Sequence, residues 1–290
     1  MTIKIVTDST CDLSPEVTQE LGITVVPAYL RFGEKVYRDG VDIDHDEFYR
    51  KLVESPIHPA TSQPAPADFT NVYQKLSGEA EAIVSIQVAS KLSGVYDSAL
   101  QGRALAESRC PIEVIDSLSV SVGLGLIVMA AARLAKAGEN LQRIIEETRQ
   151  IIPQMNVLAL FDTLKYLYRG GRIGKAKAFL GALLNVKPLL TLRDGEFVPA
   201  GQVRTRAKGV ERLFNTVKNT PDIEEVAIVH STTPDEANSL KERIASIFDR
   251  TRIYLARLGP ALGVHGGPGA LALAIRKKIS SIGQDTSEGE

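Results

Sequence analysis

Short segments rich in hydroxyl side chains follow the predicted strands of this sequence. They include residues 8–12, which read Asp-Ser-Thr-Cys-Asp, residues 90–94 and residues 116–117. A further segment, residues 61–64, lies in a proline-rich loop. Ligands of open α/β sheets bind outside the carboxyl ends of the strands, where such loops converge. Together these segments predict a site that holds a small anionic group with neutral donors.

Ser93 is the sharpest candidate in these segments. It precedes a helical pattern and is predicted to be the N-cap of that helix. An anion would be stabilised there by unpaired backbone amides and by the positive end of the helix dipole. Ser and Thr in turns also cap helices without binding a ligand, so each segment alone leaves that alternative open.

A glycine-rich turn contains the second candidate, His265. The turn covers residues 263–269 and reads Gly-Val-His-Gly-Gly-Pro-Gly. Residues with little or no side chain let the backbone approach another group closely. The alternative is a structural turn followed by a helix that starts at Pro268.

Other kinds of site fail at identifiable positions. Gly174-Lys175 resembles the end of a phosphate-binding loop, but Arg169 stands where that loop needs glycine and Ala176 where it needs Ser or Thr. The four histidines have no second metal-type ligand at a usual spacing. The sequence contains no G-x-S-x-G elbow of a hydrolase. We therefore expect no metal, no cofactor and no catalytic residue.

The composition is that of a globular protein. The chain has 290 residues, a net charge of −1, 44% hydrophobic residues and no Trp, which excludes disorder, a coiled coil and a disulfide-stapled miniprotein. The longest weakly polar run, residues 118–132, is shorter than the roughly 18 residues of a membrane span. The N-terminus lacks a signal-peptide pattern, so a cytoplasmic protein is expected. Cys11 and Cys110 are expected to be free thiols.

The charge is unevenly distributed along the chain. Residues 165–212, from Lys165 to Arg212, carry a net charge of +8, and the remainder carries −9. This stretch lacks interleaved aromatic residues and has an apolar core pattern, so no nucleic-acid partner is expected. It fits a surface for an acidic protein partner or for transient contact with anionic membrane lipid, and equally a set of solvated helices without a partner.

The elements that must position these residues alternate between short β-branched runs and longer amphipathic runs. That alternation is typical of an α/β protein with a largely parallel sheet. We predict an N-terminal α/β domain at residues 1–154, a C-terminal α/β domain at residues 155–283 and a frayed tail at residues 284–290. Each domain is expected to be a largely parallel sheet flanked by helices, with helices at residues 176–184 and 269–279 in the second.

The same segments, in order, make the chain resemble the DegV family of bacterial fatty-acid-binding proteins. The resemblance runs over about residues 3 to 280. It is carried by DSTCDL at residues 8–13, TSQP at 61–64, SKLSG at 90–94, DTLKYL at 162–167 with RGGRI at 169–173, Lys187-Pro188, and HGGPG at 265–269.

The resemblance implies a two-domain α/β carrier that holds one long-chain fatty acid, such as palmitate, with its tail buried and its carboxylate near the domain junction. It implies that the hydroxyls of Thr61 and Ser93 contact the carboxylate, with His265 close by. The supporting head-group region is then formed by Ser62, Gln63, Gly94, His265, Gly266 and Arg172. Some family members present the fatty acid to a separate ATP-dependent kinase, and this chain has no ATP loop of its own.

Two further hypotheses stand beside the carrier function. If a kinase phosphorylates the bound carboxylate, Arg169, Arg172 or Lys187 could offset the added negative charge. The competing class is an acyl hydrolase or transferase that uses Ser93 as nucleophile and His265 as base.

Overall fold

The computed structural model describes residues 2–179 and 186–279. The strands of the first half are β1 (Ile3–Asp8), β2 (Ile23–Val26), β3 (Tyr29–Phe32), β4 (Lys35–Arg38), β5 (Ala60–Ser62), β6 (Ala82–Gln87) and β7 (Ile112–Asp116). Its helices are α1 (Pro15–Leu21), α2 (His45–Glu54), α3 (Pro66–Ser77), α4 (Val95–Leu105), α5 (Val122–Lys136) and α6 (Leu141–Ile151).

The second half has the same mixture of elements. Its strands are β8 (Met155–Leu160), β9 (Lys187–Arg193), β10 (Glu196–Val203), β11 (Ile223–His230), β12 (Ile253–Arg257) and β13 (Leu271–Lys277). Its helices are α7 (Lys165–Arg169), α8 (Arg206–Lys218), α9 (Pro234–Ala245) and α10 (Pro260–Gly266). The predicted α/β class is therefore confirmed.

The first sheet is parallel, as predicted. Its strand order is β2-β1-β6-β7, and every described pairing in it is parallel. The strands β4, β3 and β5 form a separate small antiparallel sheet beside it. The carboxyl ends of β1 and β6 therefore lie at one edge, where the segments 8–12 and 90–94 emerge.

The second sheet has the order β10-β9-β8-β13-β11-β12 and is mostly antiparallel. Only β11 and β12 pair in parallel within the described part of this sheet. The expectation of a largely parallel second sheet was therefore wrong in strand direction. The boundary near residue 154 stays a prediction, and the strands of the first sheet all precede it while those of the second all follow it.

The predicted helix at residues 269–279 is instead strand β13. Leu271, Leu273 and Ile275 alternate with Ala272 and Ala274, which is the period of two of a strand. Alanine favours helices, but pairing with β8 and β11 on both sides decides the conformation. The predicted helix at 176–184 begins as a 3-10 turn at Gly174–Phe179, and its remainder, like the tail at 284–290, lies outside the described residues.

Helix α5 lies between the two sheets and joins their cores. All its residues from Val122 to Ala132 are buried, and a helix that is apolar all round needs partners on every side. Leu124 and Ile127 pack with the first sheet, while Val122 and Met129 pack with the second. Its glycines permit close approach, since a Cβ at Gly125 would come within 2.7 Å of the Cys11 carbonyl oxygen.

Within residues 2–179 and 186–279, no helix combines the length and the apolar character needed to cross a membrane.

Candidate functional site

A cavity with mostly apolar walls lies between the two sheets. The empty space inside it, together with the solvent at its open mouth, is about 1060 Å³. The apolar wall is contributed by both halves and includes Val88, Val120, Val122, Val157, Phe161 and Phe197. Such a wall suits a ligand with a large apolar part.

Small residues in the second sheet make the room for this cavity. Ala159 of β8 pairs with Ala272 of β13, which pairs with Val229 of β11, and all three line the cavity. On the opposite face of the same strands, Leu158 and Leu273 pack against α8 and α9. The alternation thus places bulky residues in the core and small ones at the ligand side.

Thr61 and His265 form the polar end of the cavity. Thr61 lies on β5 and His265 on α10, and the distance from Thr61 Oγ1 to His265 Nε2 is 2.9 Å. Burial lowers the pKa of His265 to about 4, and the nearby Arg172 and His58 add to that effect. The imidazole is therefore neutral near pH 7. If its proton is on Nε2, it donates to Thr61, and the Thr61 hydroxyl is free to donate to a ligand.

The back of the His265 ring is covered by the backbone of Gly170. A Cβ at Gly170 would overlap the ring, and the buried His265 Nδ1 has no hydrogen-bond partner among the residues that the structure describes. The imidazole is thus confined, with its Nε2 directed to Thr61. Position 170 therefore needs glycine because a larger residue would overlap the His265 ring, and the sequence alone did not indicate this.

Ser93 lines the same cavity, but it is not the N-cap of α4. The helix begins at Val95 with Gly94 as N-cap, and no side chain caps it, so the capping prediction was wrong by one residue. Val95 also lines the cavity. Among the described residues, the Ser93 hydroxyl has no hydrogen-bond partner and the first amides of α4 have no side-chain cap, so this end of the helix faces the cavity in a form that suits an anion.

Gln63 and Arg172 complete the polar end, and Ser62 and Gly266 line the cavity with them. A Cβ at Gly94 would lie 2.8 Å from Gln63 Nε2, so the glycine makes room for this amide. Arg172 donates to the carbonyl oxygens of Gly170 at 2.8 Å and Leu92 at 3.2 Å. Those bonds use two of its five N–H donors. A cation therefore stands beside the neutral donors.

Buried carboxylates hold α10, and thereby His265, in place. The Gly259 amide donates to Asp12 at 2.8 Å and the Ala261 amide donates to Asp39 at 3.1 Å. Burial, together with the neighbouring acids Asp39 and Asp8, raises the pKa of Asp12 to about 8, and burial, together with Asp8, raises the pKa of Asp39 to about 6. Sequence reasoning missed Asp39, because this residue is far from α10 in the chain and comes next to that helix only in the folded protein.

The polar side chains at residues 8–12 and 116–117 form hydrogen bonds with other groups of the protein instead of facing a ligand. Thr10 lines the cavity, but its hydroxyl donates to Asp8 at 2.5 Å, and the Ser9 hydroxyl donates to Asp39 at 2.7 Å. Asp116 accepts from the Ser90 and Leu118 amides. Burial raises the pKa of the Cys11 thiol, and Asp8 and Asp12 raise it further, so Cys11 is a packed, unreactive side chain. Both cysteines are free.

The glycine turn at 263–269 is used for close packing within the protein. Helix α10 ends at Gly266 instead of a helix starting at Pro268. Gly267, with φ of +71°, lies against the Tyr166 ring, and Gly269, with φ of +77°, lies against the Asp162 carboxylate. A side chain at either position would meet both overlap and backbone strain.

The described residues do not arrange Ser93 and His265 as a hydrogen-bonded nucleophile and base. His265 Nε2 is bonded to Thr61, and within the described ranges it has no hydrogen bond to Ser93. The described residues also contain no group of three or more side chains that could hold a metal ion.

Part of the basic stretch is neutralised by ion pairs. Lys187 lies 2.7 Å from Asp162, and Arg206 lies 2.5 Å from Glu236; both acids are outside the stretch. Arg206 and Lys187 therefore support the local structure. Arg172, by contrast, reaches the cavity wall.

The comparisons with known proteins agree on one family. The family model described as "Uncharacterised protein, DegV family" matches residues 2–278. A DegV domain-containing protein from Caldanaerobacter subterraneus is 36% identical over 279 residues, which are 95% of this chain and 99% of that protein.

Solved structures are similar over nearly the whole chain. One, described as fatty acid binding of a DegV family protein from Thermus thermophilus, has a TM-score of 0.89 and 33% identity, covering 96% of this chain and 100% of that one. Another, a fatty acid (stearic acid)-binding protein from Eubacterium ventriosum, has a TM-score of 0.87 and 27% identity, covering 97% and 100%. With the family match and the 36% identical relative, these similarities confirm the resemblance: the chain belongs to the DegV family.

Proposed function

We propose that this protein binds one long-chain fatty acid, such as palmitate, in the cavity between its sheets. The observation that carries the proposal is a mostly apolar cavity with the hydrogen-bonded pair Thr61 and His265 at its polar end. A fatty acid has the matching chemistry, with a long apolar tail and one anionic head. The fatty acids bound by the similar Thermus and Eubacterium proteins support the assignment.

Energetics favour tail burial as the source of affinity. Each buried methylene contributes about 0.8 kcal/mol, so a 16-carbon tail supplies on the order of 10 kcal/mol before the entropy cost of binding. The carboxylate then needs only hydrogen-bond partners in place of water, and not a strong attraction. Thr61 and Ser93 donate to the carboxylate, His265 orients Thr61, and Arg172 adds positive charge.

We assign the protein a role as a cytoplasmic, non-catalytic carrier. The end of the cavity that would hold the carboxylate lies beside Arg172. Burial lowers the pKa of the nearby His58, and Arg169 and Lys165 are close enough to lower it further. Positive charge at this end would help to present the carboxylate to a separate fatty acid kinase, or to bring the protein to anionic lipid. Exchange of Lys165 and Arg169 for Gln should slow transfer to such a kinase or to anionic vesicles and spare lipid binding.

Native mass spectrometry of the protein purified from bacteria tests the binding step. The expected result is an added mass of a C14–C18 fatty acid, reduced in the double variant Thr61→Ala/Ser93→Ala. A matched control is Thr216→Ala on α8, a half-buried residue that is not among those lining the cavity and whose hydroxyl donates to the Arg212 carbonyl oxygen. A protein that stays empty and fails to displace a fluorescent fatty acid contradicts the proposal. Turnover of acyl esters that is lost in Ser93→Ala would favour the hydrolase instead.

A further inference from the structure

A second, smaller cavity lies next to the first along helix α5. Its empty space, counted out to its opening, is about 350 Å³. Its wall is mostly apolar, with Asp12 and Ser14 as polar members at one side, and its apolar part includes Leu13, Val17, Leu126, Met129, Ala227 and Ala256. The site described above does not use this space.

Val122 belongs to the walls of both cavities. On α5 the second cavity continues with Leu126 and Met129, which lie four and seven residues further along and therefore on the same helix face. On β11 the first cavity touches Val229 and the second touches Ala227, two residues away on the same face of the sheet. The two cavities thus follow one another along both elements, with Val122 between them.

The second cavity ends at a charged cluster. The Tyr254 ring lines it, and the Tyr254 hydroxyl accepts a hydrogen bond from Arg133 at 2.5 Å. Arg133 also pairs with the buried Glu225, which pairs in turn with Arg276 at 2.7 Å. The apolar space accordingly stops there, since an alkyl chain that went further would desolvate charges.

The position of Val122 is firmly held. It is the first residue of α5, and Ser121 before it has φ of +56° and donates from its hydroxyl to Asp12 at 2.5 Å. A β-branched side chain in a helix is stiff at χ1. Val122 therefore cannot swing aside as a flexible side chain would.

We propose that the Val122 side chain is the wall that sets the longest acyl chain this protein accepts, with the second cavity as unused space behind it. The inference rests on the proposed fatty-acid binding and adds its specificity. Straight-chain acids whose tails end at Val122 bind best, and longer ones are disfavoured because their last methylenes meet the wall. Removing the wall should let those methylenes enter the second cavity.

The test measures chain-length preference directly. Delipidated protein is incubated with an equimolar mixture of saturated C14 to C22 acids, and the bound acids are counted by mass spectrometry. Val122→Ala should shift the preference to acids at least two carbons longer, with about fourfold tighter binding for each methylene newly buried. Val128→Ala is the matched control, because Val128 is a buried valine of the same helix and is not among the described residues that line either cavity.

Filling the second cavity tests the wall from the other side. Ala256→Leu alone should leave the preference unchanged, and in the Val122→Ala background it should restore the original preference. A Val122→Ala profile equal to that of Val128→Ala overturns the proposal. A shift to shorter acids in Ala256→Leu alone also overturns the proposal, because the tail would then already occupy the second cavity in the wild type. This measurement remains decisive even if Val122→Ala does not fold. A wild-type protein that binds none of the acids contradicts the proposed function itself.

Discussion

Thr61 Oγ1 lies 2.9 Å from His265 Nε2, although 204 residues separate them in the chain. Thr61 belongs to the small sheet of the first half, and His265 to a helix of the second half. The polar end of the cavity therefore exists only when both halves are folded together. Loss of either partner should change ligand affinity.

Removing the Thr61 hydroxyl should weaken fatty-acid binding. Thr61→Val keeps the shape of the side chain and deletes one hydrogen bond to a charged group, worth about 1.5–3 kcal/mol, so affinity should fall roughly 10- to 100-fold. Displacement of a fluorescent fatty acid measures it. Thr216→Val, remote from the cavity, should bind as the wild type does. Unchanged affinity in Thr61→Val would remove Thr61 from the head-group site.

A methyl group at Gly170 should displace His265. Gly170 has an ordinary helical backbone with φ of −76°, so alanine strains nothing there except the His265 ring, which its Cβ would overlap. Gly170→Ala should lower stability by about 1–3 kcal/mol and weaken fatty-acid binding as well. The control is Gly78→Ala, where φ is −74° and a Cβ would lie 3.5 Å from the Lys75 carbonyl oxygen. Equal behaviour of the two variants contradicts the confinement of His265.

The buried Asp12 should make stability depend on pH. Burial raises its folded-state pKa to about 8 from an unfolded value near 4. The folded state thus holds the proton more tightly, and stability is present at low pH and lost as pH rises from about 4 to about 8.

Asp12→Asn removes this titration and keeps an amide that can serve Ser121 and Gly259. In urea unfolding from pH 4 to pH 8, its stability relative to the wild type should rise by at most about 1.4 kcal/mol for each pH unit. Buried His265, with its lowered pKa, gives the opposite slope between about pH 4 and 6.5, and it does so in both proteins. A constant difference between the two proteins would mean that Asp12 is ionised throughout.

Neutralising Glu225 should be costly. Its carboxylate is buried and pairs with both Arg133 and Arg276. Glu225→Gln leaves these cations without their counter-charge, at an expected cost of about 3–5 kcal/mol in the free energy of urea unfolding. The adjacent Glu224→Gln is the control, because its pair with Arg252 at 3.5 Å is partly solvated and worth less than about 1 kcal/mol. Similar losses in both variants would contradict this difference.

Local sequence patterns were sufficient for much of the fold. The α/β class and the parallel first sheet follow from the alternation of short β-branched runs with longer amphipathic runs, a pattern that acts over a few neighbours. The direction of the second sheet does not follow, since strand direction depends on pairing between distant segments. Strand β13 illustrates both cases. Its alternation of larger aliphatic residues with alanine is visible in the sequence, but its alanines also fit a helix, and only pairing with β8 and β11 decides for a strand.

For the site, the sequence by itself determined the chemistry that is available. It provides Thr61, Ser93, Gln63 and His265 as neutral donors, and it excludes a phosphate loop. Only the tertiary structure decided which of them meet. It brought Thr61 to His265, turned the hydroxyls of Ser9 and Thr10 to buried carboxylates, and opened the cavity at Ala159 and Ala272. The reason is physical: side-chain type is local, whereas a cavity and its wall at Val122 arise from packing between residues far apart in the chain.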